Sequence, residues 1–153
     1  IVADIMDEKL EAAKKNGAKY TINVLKEDLV EKVKEYTFGH GATVSIDSAC
    51  TKDSLINLLQ ATGNAGRVMT MGFSTALTEI NQFVLTSKEL DVRGSRLQNK
   101  MFGKAIEMIN AGTLDLSNSI SHTFPLTKAQ EAFDFVDSRD PSIRKIVFTF
   151  DNL

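Results

Sequence analysis

IVADIMDEKLEAAKKNGA, residues 1–18, is the stretch on which the fold turns. A short apolar run ends on Asp4 and passes directly into a helical pattern. Asp7 stands at the expected N-cap, and Leu10, Ala13 and Lys14 recur at helical spacing. Asp7 and Glu8 lie at the positive end of that helix dipole, and Lys14 and Lys15 at the negative end. Gly17 follows as the stop, because glycine takes the left-handed backbone of a helix end without a Cβ penalty. The sequence thus opens in a strand, expected to be buried, with no initiator Met. The residue at that strand's exit is an acid.

Working outward, the same alternation continues. Tyr20–Asn23 reads as a short β-branched strand. Glu27–Tyr36 reads as a helix with Leu29, Val30 and Val33 as its apolar stripe. FGHG (38–41) is a turn, and ATVSID (42–47) is a strand that again ends in an acid. Asp53–Gln60 is helical, residues 63–66 turn, and RVMTMG (67–72) is a strand with Met69 and Met71 on one core-facing side. Thr78–Thr86 is expected to be a helix, and Leu90–Gly94 a strand. Lys100–Asn110 is a helix with Phe102, Ala105, Ile106 and Ile109 on one face, closed by Gly112. Ile120–Phe124 is extended, Lys128–Val136 helical, and KIVFTF (145–150) a final strand. Strands alternating with helices of about ten residues imply βαβ units and a mostly parallel sheet. No repeat, low-complexity tract or linker interrupts this α/β pattern.

Composition narrows the function classes. The chain has 153 residues, 42% of them apolar and 25% charged, which is enough to bury a core of its own. A net charge of -2 without clustered Lys and Arg argues against a nucleic-acid partner. No apolar run approaches the roughly 20 residues of a membrane span. The single Cys50 allows no intrachain disulfide and fits a reducing compartment, so a cytoplasmic location is expected. One Cys and the well-separated His40 and His122 are a poor basis for a structural zinc site.

In doubly wound sheets, ligands bind beyond the C-terminal ends of the strands. Three such ends are informative: Asp4, Asp47–Cys50 and Met71–Ser74. An acid ending the second strand of a dinucleotide fold accepts hydrogen bonds from the adenosine ribose and repels a 2′-phosphate, which favours NAD over NADP. Lys9, five residues on, could reach over the ribose or adenine edge. The glycine fingerprint that precedes such an acid by about 20 residues is not in this sequence. The glycines at 39, 41, 63 and 66 do not replace it, since none opens a helix directly after a strand. A plain turn or cap acid is the alternative reading of Asp4.

Several stretches, in order, resemble the cofactor domain of the medium-chain dehydrogenase/reductase family, the zinc-type alcohol and polyol dehydrogenases. ADIMDEKLEAAKKNGA is similar to that family's second strand and helix, and VSIDSAC to its strand ending in an acid and a small-residue loop. GRVMTMGF resembles the strand end beneath the nicotinamide, and DVRGSRL the strand whose end contacts the carboxamide. ISHTFPLTKAQEAFDF looks like the return into the catalytic domain, and SIRKIVFTF like the closing strand. GSRL and SHTF look closest to the polyol and sugar-acid branch. The resemblance implies a partial Rossmann-like doubly wound parallel sheet over residues 1–153, an incomplete dinucleotide-binding domain. The first strand, glycine turn and first helix are missing, and residues 120–153 return toward a catalytic domain that is absent.

By that resemblance, Asp4 binds the adenosine ribose and Lys9 flanks it. Ser48, Ala49 and Cys50 form the loop beside adenine and ribose. Met71, Gly72 and Phe73 offer backbone groups to the nicotinamide, and Arg96 and Leu97 lie near the carboxamide. Arg144 matches a position that reaches the pyrophosphate in alcohol dehydrogenases, one at which polyol dehydrogenases differ. The implied parent transfers hydride between an alcohol, polyol or sugar-acid substrate and NAD, with zinc held in an N-terminal domain, and assembles as a homodimer or tetramer. No catalytic residue or metal ligand of that chemistry is expected within this chain. The chain alone is expected to be inactive and to bind NAD weakly, because the phosphate-cradling turn is absent.

Plainer readings stand beside these. Cys50 reads as loop lining rather than a nucleophile, His122 as a surface or interdomain residue, and His40 as structural. Arg96 suits a salt bridge as well as a cofactor contact. Two other functions fit the pattern: a non-catalytic α/β assembly module, with Leu90–Gly94 as an exposed edge, and a zinc-independent quinone reductase.

Overall fold

Strands and helices alternate along the chain as the periodicity requires. A computed structural model describes residues 1–75, 77–96, 98–116 and 118–150. The chain divides into two compact units, Ile1–Leu97 and Gln98–Leu153. In the first unit the order is β1 (Val2–Asp4), α1 (Asp7–Lys15), β2 (Thr21–Asn23), α2 (Leu29–Tyr36), β3 (Ala42–Asp47), α3 (Ser54–Ala61), β4 (Thr62–Thr70), α4 (Gln82–Lys88) and β5 (Asp91–Gly94). The second holds α5 (Phe102–Asn110), β6 (Ile120–Pro125), a 3-10 turn at Leu126–Lys128, α6 (Ala129–Asp137) and β7 (Lys145–Thr149).

All the pairing is parallel, so each strand returns through a crossover helix. β1 pairs with β2, and β4 lies between β3 and β5. In the second unit β6 pairs with β7. This is the α/β architecture expected from the sequence. Among the described residues β1 has β2 as its one strand neighbour, so it is not the buried strand expected; Val2 is 39% exposed.

The core of the first unit is Ile22 on β2, Val33 on α2 and Ala61 on α3, with Leu29, Val30 and Tyr36 packed against them. The predicted stripe of α2 therefore does face the core. On β4 the inward residue is Val68, fully buried, whereas Met69 is half-buried and Met71, just past the strand, is exposed. The Met pair is therefore not the core face expected of it. β3 inverts the usual pattern: Ser45 and Asp47 are buried and Val44 and Ile46 exposed. Its buried polar groups are bonded. Thr62 donates its one hydroxyl proton to the Leu58 carbonyl (2.6 Å), so Ser45 must be the donor in its 2.6 Å contact with Thr62.

Several element ends differ from the reading of the sequence, each for a local reason. Asp7 is the first residue of α1 rather than its cap, which is Met6. Asp28 caps α2 by accepting from the Glu31 N–H (2.8 Å), which sets the helix start past Glu27. Asn81 does the same for α4 through the Phe83 N–H, so the helix begins at Gln82 rather than Thr78. Residues 63–66 belong to β4 instead of a turn. Gly41, at φ +78°, lies so close to this segment that a Cβ would meet the Gly63 nitrogen at 2.7 Å.

Candidate cofactor-binding site

The C-terminal ends of β3 and β4 enclose a polar cavity of about 210 Å³. Asp47, Cys50 and Thr51 line it from the first strand end and Leu55 from α3. Thr70, Gly72, Ser74 and Thr78 line it from the second. Ligands are expected at this end of a parallel sheet, because the crossover loops there are free to shape a site.

Asp47 holds the lining of the cavity together, whereas the sequence pointed to the Asp47–Cys50 strand end and gave a cofactor contact only to the loop residues 48–50. Asp47 is 3% exposed. Its Oδ1 accepts the Cys50 backbone N–H (2.9 Å) and its Oδ2 accepts the Ser54 hydroxyl (2.9 Å). Its backbone carbonyl accepts from the Met71 N–H (2.9 Å) and from the Cys50 thiol (3.5 Å). One buried residue thus ties β3, the following loop, the start of α3 and the end of β4. The signal was visible as an acid at a strand exit with a serine seven residues on, the start of the next helix.

Among the predicted site residues, Cys50 and Gly72 meet in this cavity. Cys50 adopts φ +47°, and its side chain fills the space that a Cβ at Gly72 would need. Met71 and Phe73 flank Gly72 and are exposed. Ser48 and Ala49 are exposed in the loop before Cys50. The Arg96 guanidinium lies over the Phe73 ring, 5.3 Å from its centroid, so two further predicted contacts are neighbours at the ends of β4 and β5. Leu97 lies outside the described residues.

Asp4 and Lys9 belong to the β1–α1 corner. Asp4 is half-buried at the exit of β1, and its Oδ1 accepts the Met6 N–H (2.9 Å). Lys9 is exposed on α1. Asn23 at the end of β2, which the sequence reading passed over, holds the same turn by bonding Ile5 and Asp7. The Lys26 ammonium, and after it the Asn23 amide, hold the Asp7 carboxyl below its ordinary range.

Arg144 lies in the second unit. Its Nε–H donates to the Asn118 carbonyl (2.7 Å) and its backbone N–H to the Ser121 hydroxyl (2.9 Å). It borders an apolar cleft that includes Phe133, Ile146 and Phe148. His122 packs edge-on against Phe135, with centroids 4.7 Å apart. Among the described residues no group of three His, Cys, Asp or Glu side chains could hold a metal ion. No helix among them is long and apolar enough to cross a membrane.

The chain is 33% identical over 150 residues to the starvation-sensing protein RspB of Escherichia coli K12, covering 98% of this chain and 44% of that protein. It is 33% identical to an erythritol/L-threitol dehydrogenase of Mycolicibacterium smegmatis, over 94% of this chain and 40% of that one. The chain therefore spans less than half the length of these relatives. Among solved structures, a short chain alcohol dehydrogenase (rspB) of E. coli CFT073, complexed with NADH, superposes with a TM-score of 0.90 at 32% identity, covering 97% of this chain and 44% of that one. The likeness identifies the parallel α/β arrangement as Rossmann-like. Residues 1–111 match the zinc-binding dehydrogenase family, and the chain belongs to it.

Proposed function

We propose that this chain is the cofactor-binding portion of an NAD-dependent, zinc-type dehydrogenase that moves hydride between an alcohol, polyol or sugar-acid substrate and the nicotinamide. The observation that carries the reading is the acid at the exit of β1. Asp4 stands where a dinucleotide fold presents a carboxylate to the adenosine ribose, and one of its oxygens is fixed by the Met6 N–H. The NADH-bound structure at 32% identity and the erythritol/L-threitol dehydrogenase relative support the choice of cofactor and substrate class. In this reading the polar cavity lies between Cys50, from the loop beside the adenine and ribose, and Gly72, at the strand end that meets the nicotinamide. Met71 and Phe73 flank Gly72 in sequence, with Arg96 stacked on Phe73.

NAD, when bound, supplies the hydride acceptor. The residues of this chain bind and orient it. In this reading zinc is held by a separate catalytic domain of the natural polypeptide. The reading includes a homodimer or tetramer in the cytoplasm, with the outer edge of β5 and its exposed Val92 as a surface for pairing.

The test is the cofactor preference of the natural polypeptide carrying this sequence. Asp4→Ala removes a charge-assisted acceptor for the ribose hydroxyls and the repulsion toward a 2′-phosphate. NAD affinity should fall about tenfold or more relative to NADP affinity. An unchanged preference would refute the ribose role.

A further inference from the structure

We infer that Asn23 is a positioning residue for the ribose acid: its buried amide fixes the turn that presents Asp4, and through it the preference for NAD over NADP. The inference rests on the role of Asp4 proposed above.

Asn23 ends β2 directly opposite Asp4 in the strand register and is 7% exposed. Its Nδ2 donates to Asp7 Oδ1 (2.6 Å) and to the Ile5 carbonyl (3.3 Å). Its Oδ1 accepts the Leu25 N–H (3.0 Å), so the same side chain also folds the exit of β2 into an Asx turn. These bonds clamp both sides of the β1–α1 turn. Between them lies Met6, whose N–H holds Asp4 Oδ1. The Val24 N–H donates to the Asp4 carbonyl (3.2 Å) and fixes its backbone from the same strand. Among the described residues Asp4 Oδ2 has no hydrogen-bond partner, so the fixed carboxylate keeps one oxygen for a ligand.

Asparagine is suited to this position because one planar group offers two donors and an acceptor. Aspartate there would oppose the Asp7 carboxylate, and alanine would remove the donor to the Ile5 carbonyl and the acceptor of the Leu25 N–H. A ribose diol is read only by an acceptor held in place. A carboxylate that pivots loses part of its bond to the sugar and part of its repulsion of a 2′-phosphate.

The experiment measures NAD and NADP affinities of the natural polypeptide carrying this sequence, in a cycle of Asn23→Ala, Asp4→Ala and the double variant. Asn23→Ala should lower the NAD/NADP affinity ratio about three- to tenfold. In the Asp4→Ala background it should change the ratio by less than about twofold. Equal losses for both dinucleotides, or additive effects on the ratio, would overturn the inference and leave Asn23 merely structural. If Asp4→Ala alone leaves the ratio unchanged, the underlying reading of Asp4 fails instead. If Asn23→Ala does not fold, the exposed variant Asp7→Ala removes the 2.6 Å partner of the amide. It should shift the ratio in the same direction, and an unchanged ratio would refute the role.

Discussion

The side chain of Cys50 occupies the space where Gly72 lacks a β-carbon, and both residues line the cavity between the ends of β3 and β4. The fit is one-sided. Cys50 takes a left-handed backbone, φ +47°, that a non-glycine residue adopts at a cost, while its loop is held by Asp47. The close approach therefore depends on both residues at once.

Gly72→Ala should destabilise the chain by about 1–3 kcal/mol, the usual cost of overpacking a filled site. Cys50→Gly should recover most of that loss in the double variant, because it removes the obstructing thiol and relieves the positive φ. Thermal melts of the three variants check this. Additive losses in place of recovery would mean that the two side chains do not compete for one space.

The Asp47 carboxylate makes two separable bonds, so its substitutions should rank. Asp47→Ala leaves the Cys50 N–H without its acceptor and frees the start of α3, at a cost of about 1–3 kcal/mol. Asp47→Asn retains an acceptor for Cys50, and its amide can donate to a rotated Ser54 hydroxyl, so the loss should be under about 1 kcal/mol. Denaturant midpoints at neutral pH test the order. Equal losses for the two variants would make the carboxylate's charge, rather than its geometry, the operative feature.

Much of the fold could be read from the order of elements, because parallel βαβ units impose a period and a loop position that survive in composition. The strand exits at Asp4, Asp47 and Gly72 were located from that period alone. What the sequence could not convey was which side chain holds each exit. Asp47 and Asn23 are buried among partners, backbone and side-chain, that only the folded chain brings near: Cys50 and Ser54 for the one, Ile5 and Asp7 for the other. The alternation of β3 did not say which of its faces is covered: Ser45 is buried by a hydroxyl chain to Thr62 that links residues seventeen apart. Alternation in a strand gives two faces. Which face is covered is set by the neighbouring helix, here through contacts made by α3.

Lys88 closes the end of α3 from α4. Its Nζ donates to the carbonyls of Leu59 (3.1 Å), Gln60 (2.7 Å) and Thr62 (2.8 Å), groups that a helix C-terminus leaves without intrahelical donors. Lys88→Met keeps the aliphatic stem and should cost about 1–3 kcal/mol. Burial, and then the Lys34 charge, hold the Lys88 ammonium below the ordinary value of 10.5. The unfolded chain therefore binds more protons between the folded value and 10.5, and this residue's contribution to stability rises with pH across that window. The gap between wild type and Lys88→Met should widen there. A narrowing gap would contradict the burial of the ammonium.

Asp91 gives the opposite, acid-side signature. It opens β5 directly across from Arg67 on β4, and its Oδ2 accepts from Arg93 (2.8 Å) and Arg67 (3.3 Å). The Arg93 hydrogen bond first, and the Arg67 bond after it, hold its carboxyl below the ordinary 3.8. A depressed carboxylate contributes stability that is fully present above its unfolded value and is lost as pH falls through its folded value. Asp91→Asn should therefore be less stable than wild type at neutral pH, and the gap should close below about pH 4. Because the Arg67 and Arg93 side chains are exposed and Asp91 is partly so, about 1 M salt should shrink the gap at neutral pH as well. Urea midpoints across pH and salt read both effects. A gap that persists at low pH and high salt would assign Asp91 a packing role at the β4–β5 edge in place of an ionic one.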